Sequence, residues 1–325
     1  MHGNRWIKWL KRIGMGIGIL ILFFFLVFMP FALSWLIING TFRFPDPDNA
    51  KTPADLGVRC EEVQFESDPG ITLHGWYLPA QQPPPSSVDP PRPGPRGTVI
   101  LCHGLNRSRA EMLSRAVFLA QNNYNALIFD FRHHGMSGGK ISSMGYYESR
   151  DVGASVRFLE TRQDFERPLV LWGVSMGASA ALLESARNPK VQAIISDSSF
   201  LSFEDTIVHH AKMFLRLPRF PIADEILWIT SWRLGFRMED FDLRRVVKEI
   251  GPRPILFIAG GADIRMPPEV AKTLYAASPS PDKQLLIIEG ARHGAAYRTR
   301  PQEYQKAVLD FLQKNLKEAG AKTSP

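Results

Sequence analysis

The sequence predicts an α/β chain, a mainly parallel sheet with helices on both faces, and three observations predict it. Short apolar runs of strand length recur between residues 98 and 288 and alternate with longer helical stretches, the pattern of strand–helix–strand units. One run, Leu169 to Trp172, meets Gly173-Val174-Ser175-Met176-Gly177 and passes at once into a small-residue helix that Asn188-Pro189 stops. The alternation breaks once, between Phe200 and Gly251, where aromatic-rich helical patches replace strands and read as a helical cap inserted between two sheet strands. A cap so placed would lie over the strands' carboxyl ends, the edge where such sheets carry their sites.

Taken in order, Ile13 to Ile38 is 26 residues without a charge, enough to span a bilayer with some tilt. Its apolar part is too long for a cleaved signal peptide and no clear small-residue cleavage site follows, so it reads as a signal anchor. Arg5, Lys8, Lys11 and Arg12 precede it, and Trp6, Trp9 and Trp35 lie near its ends. The positive-inside rule then puts the N-terminus in the cytoplasm and the rest of this single-pass membrane protein outside it. The expected organisation is tail and anchor over 1–43, a polar Pro-containing linker over 44–60, one α/β domain over 61–318 with its cap at about 200–251, and a tail over 319–325.

Glu61 to Ser67 alternates like a strand, Asp68-Pro69-Gly70 is a turn, and Ile71 to Leu78 is a second strand, giving a hairpin. The Pro-dense stretch from Ala80 to Gly97 reads as a surface loop. Further strands are expected at Thr98–Cys102, Tyr124–Phe129, Val191–Ile195, Pro254–Ala259 and Gln284–Ile288, with helices at Glu111–Gln121, Val152–Thr161 and Tyr304–Leu316.

Composition narrows the function classes. The net charge of +7 falls to +2 without Arg5, Lys8, Lys11, Arg12 and Arg43, which all precede the first acidic residue, Asp46. The basic balance therefore flanks a membrane segment and argues against a nucleic-acid partner. Two cysteines, Cys60 and Cys102, are too few for a disulfide framework; a bridge between them is open, with nothing arguing for it. No dinucleotide or phosphate-binding glycine motif is present, and adjacent His133-His134 and His209-His210 lack carboxylates or cysteines at ligand spacing, so neither cofactor nor metal is expected.

The glycines around Ser175 have a steric reason. A strand-to-helix turn this sharp strains the serine backbone and crowds its neighbours, which therefore have no room for a Cβ. The hydroxyl stands at a helix N-terminus, where negative charge is favoured. From about Glu61 to Leu316 the chain resembles the α/β-hydrolase superfamily, and within it the membrane-anchored or capped, BEM46-like or serine-aminopeptidase-like hydrolases. The resemblance rests on HGLNRS at 103–108, DFRHHGMSGG at 130–139, GVSMG at 173–177, GGADIRMPPE at 260–269 and GARHG at 290–294, in the family's order. It implies an α/β-hydrolase fold with Ser175 as nucleophile, His293 as its base and Asp263 as the acid orienting the histidine. Asp197, after the preceding strand, is the rival acid. The resemblance also implies an oxyanion hole from the backbone N–H groups of Leu105 and Met176, with the His103 ring in a structural role.

The DFRHHGMS stretch departs from the family's pattern at His133, where glycine is usual, and Asp130 and Arg132 are expected to pair and brace the loops. The expected function is hydrolysis of lipophilic acyl esters by a Ser-His-Asp triad, on a small-molecule or lipid substrate. A peptidase on small peptides and a catalytically silent membrane-bound binding module are the alternatives. Basic and aromatic residues mixed over 209–237 suit an interfacial surface, or else merely pack the cap.

Overall fold

The structure, a computed structural model, describes residues 3–40, 52–68, 70–81 and 94–316. Residues 44–51 of the expected linker, 82–93 of the Pro-dense loop and the whole expected tail 319–325 lie outside the described residues. In chain order come α1 (Gly3–Phe23), α2 (Met29–Asn39), β1 (Glu61–Glu66), β2 (Thr72–Leu78), β3 (Thr98–Cys102), α3 (Leu113–Gln121), β4 (Asn125–Phe129), α4 (Glu148–Glu160), β5 (Leu169–Val174), α5 (Met176–Arg187) and β6 (Ala193–Asp197). Then follow α6 (Phe203–Leu215), α7 (Asp224–Leu234), α8 (Leu243–Glu249), β7 (Ile255–Gly260), α9 (Pro268–Ala277), β8 (Gln284–Ile288), α10 (Ala296–Thr299) and α11 (Pro301–Leu316). The chain divides into two compact units, one of residues 1–40 with 204–240, the other of residues 41–203 with 241–325.

The larger unit holds one eight-stranded sheet in the order β1-β2-β4-β3-β5-β6-β7-β8. The hairpin pairs antiparallel, β2 pairs antiparallel with β4, and every later pairing is parallel. The central strands β3, β4, β5, β6 and β7 are buried at every residue. That is why they read as unbroken apolar runs, whereas β1 alternates exposed Glu62, Gln64 and Glu66 with buried Val63 and Phe65. Leu101, Ile128, Trp172 and Ile195 join Leu119, Tyr304, Val308 and Phe311 in one continuous core. Cys102 is buried in β3 and Cys60 half-buried, and both thiols are free. Burial pushes the Cys60 thiol up to about 11.

In the smaller unit, α1 and α2 are joined by a π-helical stretch, Phe24–Phe28, into one helix. Over Arg5–Asn39 it is 35 residues long, mean hydropathy reaching 2.7 within it, long and apolar enough to cross a membrane. α2 packs on α7, and Phe24–Phe28 packs on the turn Arg219–Ala223. Arg233 of α7 donates to the Ser34 hydroxyl at 3.4 Å and lies 5.2 Å from the Phe31 ring.

Candidate active site

Ser175 is the turn between β5 and α5, and its backbone is forced to φ 54° and ψ −118°. The strain is held by close approach on every side. A Cβ on Gly173 would lie 2.3 Å from Ala178 N, and one on Gly177 would lie 2.2 Å from the Cys102 carbonyl oxygen. Neither contact is one a real Cβ makes, so only glycine lets α5 turn this tightly against β5 and β3. The Ser175 N–H donates to the Asp197 carbonyl of the adjacent β6 at 2.8 Å.

Two loops from the C-terminal ends of β7 and β8 bring the remaining groups. Gly260 closes β7 against the β8 loop, where a Cβ would lie 2.4 Å from the Ala291 carbonyl oxygen. Asp263 Oδ1 accepts the Arg265 and Met266 N–H groups, each at 2.9 Å, which fixes the carboxylate and leaves Oδ2 for His293. His293 Nδ1 lies 2.7 Å from Asp263 Oδ2, and its Nε2 lies 2.9 Å from Ser175 Oγ. The three side chains therefore form one hydrogen-bonded line. With Nδ1–H donating to the carboxylate, Nε2 accepts the serine hydroxyl.

The loop after β3 passes beside Ser175: a Cβ on Gly104 would lie 3.6 Å from Ser175 Cβ. Three side chains fasten this loop. His103 Nδ1–H donates to the Gly104 carbonyl at 2.8 Å, and its Nε2 accepts the Phe131 N–H at 3.0 Å. Glu111 accepts the Gly104 N–H at 2.7 Å. His134 Nε2 accepts the Asn106 N–H at 3.2 Å while its Nδ1–H donates to the Arg132 carbonyl at 2.8 Å. Both imidazoles are thus held neutral. Burial drives the His103 pKa well below its ordinary value, with His134 nearby adding to this, and burial also lowers that of His134.

Asp130 and Arg132 do not pair with each other, contrary to expectation. Asp130 accepts the N–H groups of Arg109 and Met136 at 2.7 and 3.0 Å, folding its own turn. Gly135 packs so closely that a Cβ would lie 2.2 Å from the Asp130 Cγ. Arg132 turns away to Asp151 at the start of α4, at 2.7 Å, and to Asp68 at 2.8 Å. The chain reverses at His133, whose φ of 62° is the left-handed conformation that explains why glycine is usual there.

Asp197 ends β6 fully buried. It accepts the Tyr304 hydroxyl at 2.8 Å and the Ser198 hydroxyl at 2.9 Å, with Arg115 at 3.9 Å. Burial raises its carboxyl above the usual range, against the pull of Arg115, Tyr304, Ser198 and His293. Sequence reasoning also passed over Glu148, buried at the head of α4. It accepts the Ser142 and Ser143 hydroxyls at 2.7 and 2.6 Å and the Gly145 N–H at 2.8 Å. Burial alone would lift this carboxyl, but the Ser143 and Ser142 bonds outweigh it and hold it below its ordinary range. The loop it gathers lies against the nucleophile turn, with Ser142 Oγ 4.0 Å from Met176 Sδ. Among the described residues, no group of three or more His, Cys, Asp or Glu is placed to hold a metal ion.

Sheet order, the strained serine turn and the loops that meet it define an α/β-hydrolase. The profile of the family described as serine aminopeptidase, S33 matches residues 93–234. The chain is 27% identical over 314 residues to uncharacterized protein YqkD of Bacillus subtilis, covering 93% of this chain and 97% of that one. It is 26% identical to the alpha/beta hydrolase domain-containing protein WAV2 of Arabidopsis thaliana, over 81% of this chain and 82% of that protein. Among solved structures, the Pyrococcus furiosus esterase Pf2001 superposes with a TM-score of 0.65 at 26% identity, covering 82% of this chain and 96% of the esterase. The protein belongs to the α/β-hydrolase superfamily and is a hydrolase in class.

Proposed function

We propose that the protein is a membrane-tethered serine hydrolase that cleaves lipophilic acyl esters. The observation that carries this reading is the unbroken line from Asp263 through His293 to Ser175, with both hydrogen bonds at 2.7 to 2.9 Å. In this reading His293 Nε2 takes the Ser175 proton as Oγ attacks the acyl carbonyl. Asp263 stabilises the imidazolium that results, and the N–H groups of Leu105 and Met176 hold the oxyanion. Collapse of the tetrahedral intermediate expels the alcohol, which takes the proton from His293 and leaves the acyl group on Ser175. Water, deprotonated by the same histidine, then releases the acid and restores the serine. This chemistry uses the chain's own residues throughout.

The esterase among the structural neighbours supports the ester reading, and the apolar Arg5–Asn39 helix supports a site working near lipid. The peptidase reading draws its support from the serine aminopeptidase profile. A fluorophosphonate probe should label the detergent-solubilised wild type and not Ser175→Ala; labelling of neither would favour a silent binding module. Rates across esters of increasing acyl length should rise beyond butyryl. Fastest cleavage of acetyl and butyryl esters, with peptide amides competing, would overturn the lipophilic assignment.

A further inference from the structure

We propose that the helical insert Glu204–Asp240 is a second membrane-contacting element, docked in the interfacial zone of a phospholipid bilayer beside the N-terminal helix. The proposal rests on reading the Arg5–Asn39 helix as a membrane span, and it is independent of whether Ser175 is catalytic.

The N-terminal helix is longer than a bilayer core is thick. At 1.5 Å per residue a helix of this length runs to about 52 Å, whereas the hydrocarbon core of a bilayer is about 30 Å thick. The surplus is therefore about fifteen residues. With the charged stretch Arg5–Arg12 outside the core at one end, about twenty residues from Ile13 fill the hydrocarbon as far as Ala32, and the second half of α2 is the part that leaves it. Trp9 and Trp35 stand 26 positions apart, about 39 Å along the axis, close to the spacing of the two aromatic belts of a bilayer.

The insert's turn Arg219–Ala223 lies against Phe24–Phe28, and α7 lies against α2. Both contacts fall within the same compact unit, so the insert is fastened along the last turns of the span and the part of α2 that leaves the hydrocarbon. A span that enters the bilayer carries these residues to its surface.

The insert presents an aromatic surface. Phe220 is 81% exposed, Trp228 66% and Trp232 68%. Trp228 and Trp232 sit one turn apart and stack, ring centroids 6.5 Å apart and planes within 12°. They project opposite the buried residues Ile226, Leu227, Thr230 and Leu234 of the same helix. Two exposed tryptophans cost stability in water, but their amphipathic rings suit the headgroup level of a membrane. Lys212 and Arg216 are exposed on the approach to this turn, with stems long enough to reach lipid phosphates. The apolar surface is thus continuous with that of the span and ends in basic residues, the composition of an interfacial helix.

The test uses the full chain in nanodiscs, with an environment-sensitive fluorophore on introduced cysteines in a Cys60→Ser background that keeps only the buried Cys102, with that background labelled alone as the control. Reporters replace Phe220, Trp228 and Trp232, with Leu20→Cys marking the span and Lys314→Cys an exposed position of the other unit. The proposal expects a blue shift and loss of emission to brominated phosphatidylcholine at 20, 220, 228 and 232, with neither change at 314. Quenching at 20 with water-like, unquenched emission at 220, 228 and 232 overturns it. Absence of quenching at every position overturns it together with the anchor. Because the tryptophan variants could unfold, wild type is also cross-linked to a phospholipid with a photoreactive acyl chain. Adducts should appear within residues 217–236, and adducts confined to the N-terminal helix reject the proposal.

Discussion

The carboxylate of Asp263 meets Nδ1 of His293 at 2.7 Å. Asp197, the other acid at the end of a neighbouring strand, is committed elsewhere, to Tyr304 and Ser198. The two positions should answer differently to one chemical change. Asp263→Asn is expected to lower kcat by up to about 10⁴, because the imidazolium loses its counter-charge and the tautomer reverses. Asp197→Asn is expected to retain most of kcat but to lose about 3 kcal/mol of stability, because Arg115 is left buried without its carboxylate. Ester turnover and denaturant midpoints measured side by side decide the assignment, and a crippled Asp197→Asn with an active Asp263→Asn reverses it.

Gly177→Ala is expected to cost more than an ordinary small-to-large change. Its methyl group would have to displace the backbone of β3 at Cys102 and His103, and overpacking against main chain costs about 1–3 kcal/mol or more. Because that backbone leads into the loop at Gly104, fluorophosphonate labelling should fall even under conditions where the variant remains folded by circular dichroism. Full labelling would show that the turn tolerates the methyl group.

The two neutral imidazoles give the fold an acid limit. His103 and His134 have folded-state pKa values below the unfolded value of about 6.5, so the unfolded chain binds more protons as pH drops below that point. Stability is therefore whole above pH 6.5 and falls on acidification, by up to about 1.4 kcal/mol per pH unit for each histidine. His134→Gln keeps one donor and one acceptor without titrating. Between pH 6.5 and 5.5 its denaturation midpoint should fall less than that of wild type, and equal slopes would remove His134 from the account.

The topology reading is checked by protease. Four basic residues precede Ile13, and Arg43 is the one positive charge soon after the span. Protease added to intact cells, or to spheroplasts if there is an outer membrane, is expected to digest the hydrolase unit and spare the N-terminus. A fully protected domain rejects this orientation, and a soluble mature chain beginning near residue 40 rejects the anchor.

The sheet was legible in the sequence because its central strands are buried on both faces and so appear as short apolar runs between glycine-bearing loops. The serine turn was legible because sterics dictate the spacing of Gly173 and Gly177. Partnerships across the chain were not. Arg132 reaches Asp151 and Asp68, 19 and 64 residues away, and nothing in the local pattern distinguishes them from Asp130. α4 begins at Glu148 and not at Val152, because its first turn buries Glu148, Ser149 and Asp151 and looks polar to any periodicity reading. β6 likewise runs on through Ser196 and Asp197, which are buried despite being polar.

The bond from the Ser175 N–H to the Asp197 carbonyl also has a temporal meaning. Ser175 holds an unfavourable backbone conformation, and the restraints on it come from three strands: β5 below it, β3 through Gly177, and β6 through this bond. A chain emerging from synthesis completes β6 only after residue 197 is available, so the serine can be wound into its strained shape only once the middle of the sheet has closed. The first appearance of a probe-reactive serine during refolding is therefore expected to report closure of the sheet.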